Sequence, residues 1–240
     1  MPRKSRALPP SPFRRYNSSP EVIRLVVMMY VRFPLSLRNG EDLLFERGID
    51  ICHETVRVWW NRFGPLFAGD IRRQRVSRMR GFRHWRWHLD EMYVKLNGEM
   101  VYLWRAVDHE GEILESYITR TRDKDGALTF MKKALKRHGS PDAITTDGLR
   151  SYRAAMNELG NAEKQEAGRW ANNRVENSHL PFRRRERAMQ RFGRMKTLQK
   201  FASVHANVHN HFSLERHLID RQTYRDRRSA ALAERQVLAS

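Results

Sequence analysis

A chain of 240 residues, 40% of them hydrophobic and 10% aromatic, is long enough for one substantial core and a small accessory module. No uninterrupted apolar stretch reaches the length that spans a bilayer, and the basic, Pro-rich start lacks the apolar segment of a secretory signal. The single cysteine, Cys52, excludes an internal disulfide framework and a multi-cysteine zinc site. We therefore expect a cytoplasmic protein with no membrane association.

The net charge of +19 and the pI near 10.9 indicate a polyanionic partner, with nucleic acid as the leading candidate. The excess is uneven: residues 1–84 carry +10, residues 85–171 carry 0 and residues 172–240 carry +9. Two cationic flanks around a neutral centre fit a chain whose flanks hold a polyanion while its centre concentrates acidic groups. Composition alone leaves open a ribosomal or packaging protein.

The N-terminal third predicts a small helical domain. Residues 1–19 are interpreted as a flexible basic arm, and residues 20–69 as three helices. Ser19 and Pro20 suit the start of the first helix, the second begins near Ser36, and the third runs from about residue 53 to 63. Two short helices joined by a Gly-containing link, behind a supporting helix, indicate a helix-turn-helix module.

The third helix has an apolar face and a polar face. Spacing at i, i+3, i+4 and i+7 predicts burial of Val56, Trp59, Trp60 and Phe63. The residues left outward are His53, Arg57, Asn61 and Arg62. Arg and Asn suit bidentate contacts with guanine and adenine edges, so we predict that this helix contacts DNA. The alternative is an ordinary three-helix bundle with a solvated polar face.

The remainder predicts a mixed α/β domain. A basic linker at 70–84 precedes three hairpin-connected strands over 84–121, a helix over 122–139, a short strand at 143–147 and further helices. This order matches a ribonuclease H-like core, in which the short fourth strand adds parallel to the first. We assign the catalytic domain to residues 85–214 and a charged helical tail to 215–240.

Candidate carboxylates lie at the ends of these elements. Asp90 stands in a strand that is apolar on both faces, where a carboxylate is costly unless it is paired or metal-bound. Its neighbour Glu91 should point to the opposite face, so only one of the two is expected in a given site. Asp147 ends the fourth strand and would lie near Asp90, with simple helix capping as the alternative. Glu176 precedes a basic run, and a glutamate in this position, taken alone, is more often a surface carboxylate than a functional one.

Basic residues surround Glu176 in the sequence. Arg183 falls seven positions later and hence on the same helical face, although Pro181 should kink the helix or start a new one. We predict phosphate contacts from Arg183, Arg184 and Arg185. The histidines of the next segment are interpreted as solvated or DNA-facing side chains rather than metal ligands, and they are His205, His209 and His211.

Three segments resemble the catalytic segments of bacterial insertion-sequence transposases of the IS six family. They are WHLDEMYVKLNGEMVYLWRAVDHEG, ITTDGLRSY and ANNRVENSHLPFRRRERAMQRF, and LSLRNGEDLLFERGIDICHETVRVWWNRFGP resembles the helix-turn-helix of that family. The match covers roughly residues 20–220. Asp90 and Asp147 are 57 positions apart, which is ordinary for the family, whereas the 29 positions from Asp147 to Glu176 are fewer than usual.

The resemblance implies a specific chemistry. Asp90, Asp147 and Glu176 would form a DDE triad that holds two Mg²⁺ ions, with Mn²⁺ as an alternative, because these ions take hard anionic oxygen ligands. The implied activity is binding of terminal inverted repeats, 3′-end cleavage and strand transfer into double-stranded DNA, by a homodimer or higher oligomer associated with the nucleoid. The alternatives are a non-catalytic helix-turn-helix regulator and a metal-dependent nuclease.

Overall fold

The computed structural model describes residues 11–78, 86–168, 172–189, 192–212 and 221–238. Its helices are α1 (Pro20–Arg32), α2 (Leu37–Phe45), α3 (His53–Arg78), α4 (Lys124–His138), α5 (Arg150–Glu158), α6 (Asn173–Ala188), α7 (Met195–Phe212) and α8 (Arg221–Arg235). Its strands are β1 (Arg86–Leu96), β2 (Glu99–Asp108), β3 (Ile113–Thr119), β4 (Ala143–Thr146) and β5 (Gln165–Ala167).

The first two helices begin at the predicted residues. The Ser19 side chain accepts a hydrogen bond from the Val22 amide at the start of α1, and Pro20 is the first helical residue. The Ser36 hydroxyl oxygen accepts one from the Asn39 amide at the start of α2. Each serine thereby satisfies one of the amides that a helix leaves unpaired at its N-terminus.

Helix α3 is longer than predicted. It continues past Phe63 to Arg78, because Phe67 and Ile71 extend the buried stripe at helical spacing. The predicted linker at 70–84 is therefore helical as far as Arg78, and its residues 79–84 lie outside the described ranges. The predicted apolar face is confirmed, since the four residues concerned are at most 4% exposed: Val56, Trp59, Trp60 and Phe63.

Part of the predicted flexible arm is packed. The Phe13 ring is 6% exposed and stacks on Phe63 with ring centroids 4.9 Å apart, and Tyr16 contacts the same ring edge-on. Residues 1–10 of the arm lie outside the described ranges. The interpretation of a flexible arm is therefore wrong for the residues around Phe13, which the apolar surface of α3 holds in place.

The five strands form one sheet in the order β3-β2-β1-β4-β5. β1, β2 and β3 pair antiparallel in sequence, whereas β4 pairs parallel to β1 and β5 pairs parallel to β4. The mixed α/β fold class with a ribonuclease H-like strand order is thus confirmed. β4 pairs with β1 only at Arg86–His88, so the rest of β1 extends beyond the end of β4.

Helices cover both faces of the sheet. α4 and α5 pack on one face through a core that includes Leu89, Trp104 and Tyr152. The other face joins α6 and α7 to a larger core that includes Met92 and Phe182. That larger core also contains the buried residues of α1 and α3, so the N-terminal helices and the sheet domain share one hydrophobic interior.

The C-terminal third is helical, as predicted. α6 is one continuous helix that contains Pro181, so the alternative that a new helix starts at this proline is wrong. α8 occupies most of the predicted charged tail, of which residues 215–220 and 239–240 lie outside the described ranges. Among the described residues, no helix is long and apolar enough to cross a membrane.

Candidate active site

Three carboxylates meet at the point where β1 extends beyond β4. Asp90 and Glu91 follow the last β1 residue that pairs with β4, and Asp147 directly follows β4. One carboxylate oxygen of each residue lies within 4.8 Å of the other two. The parallel pairing brings these residues together, because β1 and β4 run in the same direction and the three carboxylates lie near the end of the shared register.

The expectation that only one of Asp90 and Glu91 joins a site is wrong. Strand alternation does point them to opposite faces: Asp90 shares its face with Met92, and Glu91 shares its face with Leu89. Beyond Thr146, however, β4 no longer covers the edge of β1. Carboxylates from both faces therefore approach Asp147 around this open edge.

Arg122 connects two of the three carboxylates. Its Nε donates to a Glu91 carboxylate oxygen at 2.6 Å, and its Nη2 lies 3.7 Å from the Asp147 Oδ2. The Glu91 side chain is only 2% exposed and lies beside the fully buried Tyr152. Burial raises the pKa of the Glu91 carboxyl, although Tyr152 and Arg122 both act to lower it. Arg122 thus supplies the positive charge beside Glu91. Among the described residues, no other cation lies within salt-bridge distance of that carboxylate.

Asp90 is the most perturbed member of the cluster. Its side chain is 16% exposed, and burial together with the charges of Glu91 and Asp147 raises its pKa to about 7. Glu176 contributes to the same shift. A buried carboxyl that is repelled by neighbouring carboxylates binds its proton more tightly, and a divalent cation would relieve the same repulsion.

Glu176 lies at the periphery of the cluster. It is exposed, in the first turn of α6, and it is not in the group of carboxylates within 4.8 Å of one another among the described residues. Its charge nevertheless acts on Asp90. The structure therefore brings two of the predicted triad residues into contact range and places the third on the adjacent helix.

Two buried side chains attach the start of α6 to the sheet. The Asn172 Nδ2 donates to the Leu89 carbonyl oxygen at 3.0 Å, and the Arg105 Nη1 donates to the Ser178 carbonyl oxygen at 2.6 Å. Asn172 and Arg105 are 1% and 0% exposed. These bonds lie on either side of Glu176 in the sequence, so they fix the helical turn that carries it.

His179 lies against Asp90. Its Nδ1 is 3.6 Å from the Asp90 Oδ2, and burial and the charges of Arg105 and Arg183 lower its pKa to about 2. The imidazole is therefore neutral in this structure at physiological pH. Sequence reasoning missed His179, although its position three residues after Glu176 puts it on the same helical face.

The predicted phosphate-binding arginines divide into two groups. Arg184 is exposed, and Arg183 is 27% exposed, with its guanidinium 4.8 Å from the Tyr93 ring centroid. Arg185 is 1% exposed, donates from Nε to the Tyr30 carbonyl oxygen and lies over the Tyr30 ring. The prediction of phosphate contact is wrong for Arg185, because its guanidinium packs between α6 and α1 instead of facing solvent.

The predicted DNA-reading side chains lie on the outer surface of α3. Arg57 pairs with Glu54 at 3.2 Å, Arg62 is exposed, and the Asn61 amide oxygen accepts a hydrogen bond from Lys200. His53 is a partial exception. Both its backbone amide and its ring Nδ1 contact the Glu41 carboxylate, which joins the start of α3 to α2.

The histidines of α7 are less accessible than predicted. His205 is 2% exposed between the rings of Phe182 and Phe201, and burial lowers its pKa well below the usual range. Burial also lowers the pKa of His209 to about 4. The interpretation of solvated or DNA-facing histidines is thus wrong for His205. Its spacing from Phe201 and Leu198 on one helical face was the signal that it belongs to the core.

The donor chemistry of the carboxylate cluster fits a hard divalent cation. Asp90, Glu91 and Asp147 offer anionic oxygens, the ligands that Mg²⁺ and Mn²⁺ prefer. Burial, and after it the charges of Glu91 and Asp147, raise the pKa of Asp90, and a bound cation would offset both effects. A two-metal or one-metal centre at this edge of the sheet is therefore chemically consistent with the residues present.

A ribonuclease H-like sheet with carboxylates on β1 and directly after β4 defines the catalytic domain class of DDE transposases. A family model described as a DDE domain matches residues 84–215. The chain therefore belongs to the DDE transposase family of bacterial insertion sequences, and the predicted resemblance to the IS six family is confirmed. Transposases act on DNA, so the chain is an enzyme of the transposition type with DNA as its partner.

Two relatives from Staphylococcus aureus cover most of the chain. The transposase for the insertion sequence-like element IS431mec is 29% identical over 200 residues, which are 81% of this chain and 87% of that protein. The transposase for insertion sequence element IS257 in transposon Tn4003 is 28% identical over 200 residues, again 81% of this chain and 87% of that protein. The solved catalytic domain of Mos1 mariner transposase aligns with 73% of this chain and 94% of its own, with a TM-score of 0.35 and 13% identity.

Proposed function

We propose that this transposase binds the terminal inverted repeats of its insertion sequence, cleaves their 3′ ends and joins them to target DNA. The observation that supports the proposal is the cluster of Asp90, Glu91 and Asp147 at the open edge of β1. Nuclease chemistry and strand transfer both need clustered oxygen ligands at a position that DNA can reach, and Asp147, at 37% exposed, provides access from solvent.

We propose Asp90, Asp147 and Glu176 as the catalytic triad that holds two Mg²⁺ ions, with Mn²⁺ as an alternative. When bound, the ions would activate the attacking water or 3′-hydroxyl and stabilise the leaving oxygen. Asp90 and Asp147 would supply the ligands from the sheet, and Glu176 would supply one from the first turn of α6. Glu91 and Arg122 position Asp147 from the opposite face.

The DNA contacts are assigned to two surfaces. On α3, Arg57, Asn61 and Arg62 would face the major groove, with His53 near the phosphate backbone at the start of the helix. On α6, Arg183 and Arg184 would hold phosphates beside the carboxylates. Synapsis of two element ends requires at least a homodimer, and binding to the chromosome would place the protein at the nucleoid.

The test is an in vitro strand-transfer assay with end duplexes, a target plasmid and Mg²⁺. Wild-type protein should give joined products, whereas Asp147→Asn should bind the ends equally and give no product above background. Asp142→Asn is the matched control, because Asp142 is an exposed aspartate just before β4 and should leave product formation unchanged.

Three other results would contradict the proposal. Binding without any product from wild-type protein would favour the helix-turn-helix regulator. Hydrolysed ends without joined product would favour the nuclease. Full activity of Asp147→Asn would remove this residue from the catalytic site.

A further inference from the structure

A groove on α5 opens directly beside Asp147. It has a volume of about 370 Å³ and is lined by Gly148, Arg150, Arg153, Ala154 and Asn157. Gly148 connects the groove to the carboxylate cluster, since it follows Asp147 and adopts a positive φ of +86°. One end of the groove therefore lies next to Asp147 of the carboxylate cluster.

The polar lining of the groove lies on one helical face. Arg150, Arg153 and Asn157 are spaced at i, i+3 and i+7, and all three are exposed. The opposite face of α5 is buried in the sheet through Tyr152 and Met156. The guanidinium groups consequently point away from the sheet and toward solvent.

The two arginines have no carboxylate partner within the part of the chain that the structure describes. The acidic residue of α5, Glu158, instead pairs with Lys124 at 2.6 Å and so faces α4. At the start of α5, the Asp147 Oδ1 accepts a hydrogen bond from the Leu149 amide at 3.0 Å, so the carboxylate cluster itself lies at the positive end of the helix dipole. Two exposed guanidinium groups on one helical face, without a carboxylate partner among the described residues, match a phosphodiester better than a neutral ligand.

The position of the groove identifies which DNA it contacts. The helix-turn-helix module shares its core with α6 and α7, on the Met92 face of the sheet. The α5 helix packs on the other face, with Leu89 and Trp104. DNA bound by the surfaces proposed on α3 and α6 would therefore approach the carboxylates from the Met92 face, whereas the groove lies on the other face of the sheet.

We propose that the α5 groove binds the backbone phosphates of the target DNA during strand transfer. This inference rests on the proposed function, because only strand transfer brings a second duplex to the carboxylates. Arg150 and Arg153 would each contact a phosphate, and Asn157 would contribute an amide donor at the far end of the groove.

The test compares Arg153→Gln and the double variant Arg150→Gln/Arg153→Gln with Lys136→Gln. Lys136 is the matched control, because it is an exposed cation on α4, on the same face of the sheet, and lies outside the groove. All variants change exposed side chains, and thermal unfolding checks that they fold as wild type does. Strand transfer is measured with precleaved ends, and 3′-end cleavage is measured separately on uncleaved ends.

We expect the double variant to lose strand transfer by about tenfold or more while end binding and 3′-end cleavage stay within about twofold of wild type. Its binding to a duplex without element ends should show a salt slope smaller by about 2, and that of Arg153→Gln by about 1, with no change for Lys136→Gln. Equal losses of cleavage and strand transfer would overturn the proposal, as would unchanged strand transfer.

The two proposals fail in distinguishable ways. If wild-type protein gives neither cleavage nor joining, the proposed catalytic function fails. The salt slope on the duplex without ends still decides the groove, because it needs no chemistry. An unchanged slope in the double variant would show that the groove binds no phosphate.

Discussion

Substitution of Asp90 by asparagine should stabilise the metal-free protein at neutral and alkaline pH. Asp90 is 16% exposed, and burial with the charges of Glu91 and Asp147 raises its pKa to about 7 from the ordinary 3.8. Well below pH 3.8 the carboxyl is protonated in the folded and unfolded states alike, so it contributes nothing. As pH rises, the unfolded chain releases this proton first, and the ionised carboxyl therefore favours unfolding.

The magnitude follows from the size of the shift. A difference of about 3 pKa units corresponds to about 4 kcal/mol at pH 8, and to roughly half of that at pH 5.5, where the folded carboxyl is still protonated. Asp90→Asn removes the charge and keeps the shape, so its free energy of unfolding should exceed that of wild type by an amount that grows from pH 5.5 to pH 8.

Urea unfolding in EDTA at several pH values measures this difference, with Asp142→Asn as the control for loss of an exposed charge. Added Mg²⁺ should reverse the order, because wild type gains a ligand that binds only the folded state and the variant loses one of its binding groups. If the free energies of unfolding of wild type and Asp90→Asn differ by the same amount from pH 5.5 to pH 8, the pKa of Asp90 is not raised in the folded protein.

Three further predictions concern the attachment of α6 and DNA recognition. Asn172→Ala should lower the free energy of unfolding by about 1–3 kcal/mol, because it leaves the Leu89 carbonyl unpaired, and should reduce cleavage at temperatures where the protein remains folded. Unchanged cleavage would show that this bond does not position Glu176. Arg105→Met should keep the fold, since a buried charge is replaced by an apolar chain of similar length, yet reduce cleavage by loss of the bond to Ser178, as measured by single-turnover kinetics. Arg57→Ala should weaken binding of element ends more than binding of random duplex in fluorescence anisotropy titrations, and equal losses on both would reject base recognition by α3.

Much of the fold could be predicted from the sequence, because hydrophobic periodicity and turn residues are local signals. The apolar residues on both faces of the strand around Asp90 predicted a central strand, and the apolar stripe of α3 predicted its buried face. The prediction ended α3 at Phe63, although Phe67 and Ile71 continue the same apolar stripe. Pro181 shows the limit of a local rule, because packing of the surrounding α6 residues keeps one helix across it.

The candidate site was harder to predict, because it depends on which carboxylates lie beside the edge of β1 that β4 leaves uncovered. Alternation correctly separated Asp90 from Glu91, but it gives no sign that β4 ends early enough for both to reach Asp147. The arginine-rich run predicted a cationic surface and could not show that Arg185 faces inward. That side chain is held by the Tyr30 ring and carbonyl, which lie 155 positions away in the sequence.

The shared core of the N-terminal helices and the sheet domain has a consequence for how this protein can be divided. Trp60 of α3 packs edge-on against Phe201 of α7, with ring centroids 5.5 Å apart, and the guanidinium of Arg185 lies over Tyr30 of α1. Cutting the chain between these partners would expose aromatic surface on both pieces. The N-terminal helices and the sheet domain are therefore inherited together, and neither half is a ready-made module for exchange with another element.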